Sequence, residues 1–240
     1  MGGGGENADR TDPRRFVNIH DDFAFGSSED GEIGELGWRT ANIGGDFGAA
    51  FRSEPAVGAG NRYGEIGVRG GVGSGAGAFG IYGGGEWFTT MGDGLPVGAT
   101  MYARLFAPSA AGQVVWCGLA GAHQTPTTAA STPFLGFRQD AAVDGNVYAV
   151  VKDGADADDE DVSSLGALDT TNWATYVVHR RATNTFDFST GSGGTRVTIE
   201  TTNFSAVGTV EWVIGCAATG GADKSIHVDF FGVDFPLDRR

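Results

Sequence analysis

From Phe16 onward the chain alternates short apolar, β-branched and aromatic runs with turns of Gly, Pro, Asp, Asn and Ser, the rhythm of an all-β sandwich. About a dozen strands are predicted on this pattern: Glu65–Arg69, Ala78–Tyr82, Glu86–Thr89, Thr100–Phe106, Gln113–Ala120, Phe134–Arg138, Val147–Val151, Thr175–Arg180, Thr185–Ser189, Arg196–Glu200, Val210–Cys216 and Ile226–Phe235. Thr100–Phe106 alternates most cleanly, with Met101, Ala103 and Leu105 on one face and Tyr102, Arg104 and Phe106 on the other. In the closing run Ile226, Val228 and Phe230 share a face. Beyond Phe230-Phe231-Gly232 the large apolar residues continue as Phe231, Val233 and Phe235, which predicts a β-bulge in a central strand buried on both faces. Val210–Cys216 reads the same way. No window carries an apolar period of 3.6, so helix is expected only as a turn or two near Leu165–Thr170.

The organisation that follows is an extended N-terminal arm over residues 1–19 and a β-sandwich domain over residues 20–240. The arm opens on four glycines and mixed charges, with too little apolar content to fold alone, and its Arg10, Arg14 and Arg15 are the residues expected to dock it on a partner. That partner is expected to be another chain, in a homo-oligomer with a trimer favoured over a dimer. A length of 240 residues suits one large sandwich that needs no staples, and 42 glycines without a Gly-X-Y period point to tight turns and close backbone crossings. Gly70–Gly77 reads as a flexible loop, and the polar stretch 121–133 as a long loop available for binding.

A net charge of −14 with only two lysines, Lys152 and Lys224, leaves no basic patch, so no nucleic-acid partner is expected. The N-terminus shows neither a basic n-region nor an apolar h-region, and no window is long and apolar enough for a membrane span. Synthesis in the cytoplasm without a signal peptide is the expectation. Cys117 and Cys216, both inside apolar runs, are expected as buried thiols, with a disulfide open only if their strands are neighbours.

Candidate chemistry is sparse. Asp156, Asp158 and Glu160 have the alternating spacing of oxygen ligands for calcium, set against a solvated acidic turn; no cofactor is otherwise required. The four histidines are scattered singly, and His20-Asp21-Asp22 on an extended chain points to opposite faces. There is no Gly-x-Ser-x-Gly and no strand of alternating acids, and Glu86, Glu200 and Glu211 each stand alone. Tryptophans able to stack on sugar are Trp38, Trp87, Trp116, Trp173 and Trp212; the apolar surroundings of Trp116 and Trp212 assign them to the core, and Trp87, after Gly83-Gly84-Gly85-Glu86, is the candidate carbohydrate contact.

The run Asp169-Thr170-Thr171-Asn172-Trp173 with Tyr176-Val177-Val178, the Phe186-Asp187-Phe188 hairpin with Gly191–Gly194, and Ile226-His227-Val228-Asp229-Phe230 resemble the concanavalin-A-like lectin/glucanase family. The resemblance implies a two-sheet antiparallel jelly-roll sandwich. The Glu-x-Asp-x-x-Glu strand of the glucanases is absent, so hydrolysis is not implied. Asp21-Asp22-Phe23-Ala24-Phe25-Gly26 and Gly34-Glu35-Leu36-Gly37-Trp38 resemble structural proteins of tailed bacteriophages. That second resemblance implies a non-enzymatic virion structural protein, a capsid decoration, fibre or tail module docked to other virion proteins through its arm. A lectin-like carbohydrate-binding module is the alternative, and a glycoside hydrolase with acids from separate strands comes third.

Overall fold

The computed structural model describes residues 16–21, 32–33, 38–43, 66–70, 72–73, 75–76, 78–82, 94–121, 133–140, 144–153, 160–191, 194–202, 204, 211–218 and 224–236. In chain order the strands are β1 (Phe16–Asp21), β2 (Glu32–Ile33), β3 (Trp38–Ile43), β4 (Ile66–Gly70), β5 (Val72–Gly73), β6 (Gly75–Ala76), β7 (Ala78–Tyr82) and β8 (Thr100–Phe106). There follow β9 (Gln113–Ala120), β10 (Phe134–Asp140), β11 (Asn146–Lys152), β12 (Glu160–Ala167), β13 (Ala174–Ala182), β14 (Thr185–Thr190), β15 (Arg196–Glu200), β16 (Glu211–Ala218) and β17 (Lys224–Pro236). Two antiparallel sheets pack face to face. One is seven-stranded, in the order β1-β17-β8-β13-β14-β15 with β4 also on β17; the other is eight-stranded, in the order β12-β11-β10-β9-β16-β7-β3-β2.

The core fills the space between them because each strand turns its alternate apolar residues inward. Met101, Ala103 and Leu105 of β8, Phe186 and Phe188 of β14 and Ile226, Val228, Phe231 and Val233 of β17 meet Cys117 and Leu119 of β9, Leu135 and Phe137 of β10 and Ile214 of β16 in one cluster. Ring contacts cross the gap, Phe137 with Tyr176 and Phe188, and Trp212 with Phe231. The eight-stranded sheet is buried on its other face as well, where Val114, Trp116, Phe134, Val150 and Val213 form a second cluster.

β17 is central, as its sequence predicts: β8 bonds one edge, while β4 and β1 share the other. Its predicted two-sided burial is corrected. The register slips between Val228 and Phe230, so the extra residue returns Phe231 and Val233 to the same inner face as Ile226 and Val228. Phe230 is left half-buried on the outer face. The helical turn expected near Leu165–Thr170 is also corrected: Glu160–Ala167 is strand, an edge partner of β11, and Leu165 is its single buried side chain. The first strand begins at Phe16, within the span read as arm, because pairing with β17 supplies its backbone with partners. Residues 1–15, with Arg10, Arg14 and Arg15, lie outside the described residues.

Cys117 and Cys216 lie on adjacent strands but not opposite one another: Cys117 pairs with Ile214, and Cys216 with Val115. Both are free, buried thiols, and burial pushes Cys117 up to about 12.

Candidate functional site

Two regions bring chemistry together. The first is the outer face of the eight-stranded sheet. There the Arg138 guanidinium bonds Glu160 at 2.5 Å and lies 5.4 Å from the Trp116 ring, which in turn meets Phe134 edge-on. Trp116 and Phe134 are fully buried and Arg138 is 8% exposed, so this patch of the face is closed to solvent. Trp116 Nε1 and Arg138 Nε have no hydrogen-bond partner there among the described residues.

The second region is open. Where the chain crosses from β12 in one sheet to β13 in the other, residues 168–173 form a turn that Asp169 organises. Its carboxylate accepts from the Thr171 and Asn172 backbone N–H groups at 2.8 and 3.0 Å, and from Thr171 Oγ1 and Asn172 Nδ2. Those bonds, led by the Thr171 N–H, hold Asp169 well below the usual carboxylate range, so the turn stays capped at pH values where an ordinary aspartate protonates. The turn delivers Trp173, half-buried, to the rim of a cleft of about 530 Å³.

Arg104, Thr175, Thr190, Gly191 and Phe230 line the same cleft. Arg104 is the outward residue of β8 opposite Thr175 on β13 and Phe230 on β17. Its guanidinium stands 5.5 Å from the Trp173 ring centre and donates to Asp229 Oδ2 at 2.7 Å. Phe106 supports the indole from the side, ring centres 5.7 Å apart. Trp173 and Arg104 thus line a cleft of ligand-binding size together, the guanidinium held by Asp229.

Of the residues predicted for function, Glu160 is bonded by Arg138, and Asp156 and Asp158 lie outside the described residues. No group of three or more potential metal ligands occurs among the described residues. Trp87 lies outside them too. Trp116 and Trp212 are core, as predicted, at 0% and 3% exposure. Sequence reasoning missed the grouping of Trp173, Arg104 and Asp229. The available signal was the solvent face of β8, Tyr102-x-Arg104-x-Phe106, which carries two aromatic rings where an outward face is ordinarily polar.

No family model matches the chain, and no curated protein matches it. Solved structures do. The pseudo β-1,3-glucanase of Mycobacterium tuberculosis, an immunostimulatory antigen, aligns with a TM-score of 0.60 at 13% identity over 91% of this chain and 98% of its own. A β-1,3-glucanase of Mycobacterium marinum gives 0.55 at 16% identity over 90% and 97%. The β-glucanase of Bacillus licheniformis gives 0.55 at 12% identity over 92% and 98%. The fold is the concanavalin-A-like jelly roll of β-glucanases. The expectation of a virion structural protein is corrected by the same findings: the sandwich is shared with proteins named for glucan chemistry, and nothing links it to bacteriophage capsids or tails.

Proposed function

We propose that this chain is a non-catalytic glycan-binding module that holds sugar against Trp173 in the rim cleft. The observation that carries the proposal is the make-up of that cleft, an indole fixed by a capped turn with the Arg104–Asp229 pair beside it. A sugar ring offers an apolar C–H face and a belt of hydroxyls; the indole takes the first, and the paired guanidinium and carboxylate give donors and acceptors for the second. The β-glucanase neighbours support glucans as the class to test first, and the pseudo-glucanase among them supports a sandwich of this kind without turnover.

Three acids at these regions support binding over hydrolysis. Glu160 is tied to Arg138, Asp229 to Arg104 and Asp169 to its own turn. A glycosidase needs two carboxyl groups flanking one bond, one of them protonated at working pH. Affinity electrophoresis in soluble β-1,3- and mixed-linkage glucan, paired with a reducing-end assay, tests the proposal. The expected result is retarded migration with no new reducing ends. Release of reducing ends would make the chain a hydrolase, and unretarded migration with these and a wider glycan panel would end the glycan reading.

A further inference from the structure

The cleft at Trp173 is one end of a longer surface. On the outer face of the seven-stranded sheet, β8 and β17 are paired so that Phe106 stands opposite His227, Arg104 opposite Phe230, and Tyr102 opposite Gly232. Three rows result. The first is aromatic, with Trp173, Phe106 and His227 in ring contact. The second is polar, the Arg104–Asp229 pair with Thr175. The third is aromatic again, with Tyr102 against Phe230 at 5.8 Å and exposed His20 against Phe230 at 5.6 Å.

Gly232 is what shapes the third row. A Cβ at that position would come within 2.6 Å of Tyr102 Cε2 and Cζ, so the phenol ring lies over bare backbone. The ring is thereby laid along the sheet, its hydroxyl reaching Asp234 Oδ1 at 3.4 Å. Tyr102 and Phe106 are four residues apart on one strand, about 13 Å at the ordinary β rise, with Phe230 opposite Arg104 between them. One sugar ring cannot touch both.

We infer that this face takes an internal stretch of an extended, neutral glycan running along β8, with Trp173 and Tyr102 as stacking platforms at its two ends and Arg104–Asp229 bonding hydroxyls between them. The inference rests on the glycan reading above and specifies what that reading leaves open, chain interior against chain end. Neutral polymer is favoured because Arg104 is already neutralised by Asp229, and the protein's net charge of −14 repels acidic glycans.

The test is calorimetry with linear gluco-oligosaccharides from two to six units, on the wild-type protein and the Tyr102→Ala and Gly232→Ala variants. Wild-type affinity should climb with length until both platforms are covered. Tyr102→Ala should weaken the longest ligand about tenfold and leave the shortest unchanged. Gly232→Ala lifts the Tyr102 ring without touching ligand and should do the same in milder form, so the proposal does not hang on one variant. Melting curves confirm that both variants fold. Equal affinity at every length, or a long-ligand affinity that neither variant alters, would overturn the extended site while leaving glycan binding at Trp173 in place. Absence of binding at every length would overturn both.

Discussion

Gly136→Ala is expected to destabilise the sandwich by about 3 kcal/mol or more. Gly136 of β10 and Gly118 of β9 face each other across the ladder. A Cβ on Gly136 would fall 2.2 Å from the Cys117 carbonyl oxygen and 2.7 Å from the Gly118 Cα; one on Gly118 would meet the Leu135 carbonyl oxygen and the Gly136 Cα at the same distances. These obstacles are backbone, not side-chain tips, so relief requires the strands to part. Both strands are buried along their whole length, and parting them opens the two apolar clusters together. Thermal unfolding should show a fall of roughly 6–12 °C for a chain of this size. Gly118→Ala should behave alike, and the double variant should cost less than the sum, since one separation relieves both clashes. A Gly136→Ala protein melting within a degree or two of wild type would show that the strands are not pressed together.

Trp173→Ala should weaken glycan binding by about 10- to 100-fold while leaving the fold intact. The indole is half-buried at the rim, not in either apolar cluster, so its loss removes a platform and not a core side chain. Arg104 loses its stacking partner but keeps Asp229. Trp173→Phe, which preserves a smaller aromatic plane, should recover part of the affinity. A Trp173→Ala protein that binds like wild type would place the sugar elsewhere.

The strands that alternate or run apolar were legible in the sequence. Thr100–Phe106, Gln113–Ala120, Ala78–Tyr82 and Arg196–Glu200 have the bounds the pattern predicts, and the bulge in β17 is displaced by only a residue or two. Glu160–Ala167 was illegible because it is an edge strand whose side chains are mostly exposed; pairing with β11, and not an apolar stripe, makes it a strand. The two-sided burial expected of β17 failed because a bulge changes which residues share a face, and the sequence does not say which side the bulge resets. The site was half legible. Asp169–Trp173 stood out as a motif, and the outward set of β8 as an alternation. Their meeting with Asp229 depends on residues 125 apart in the chain, and only strand order brings β8, β13 and β17 side by side.

The central claim is that sugar is held at Trp173. The most direct measurement is an NMR titration of the indole N–H signals of the five tryptophans with a linear hexasaccharide, the Trp173 signal being assigned from the Trp173→Phe protein. The account predicts that the Trp173 signal moves with saturation while those of buried Trp116 and Trp212 stay in place. A titration in which the Trp173 signal is unmoved while the protein binds the sugar would contradict it.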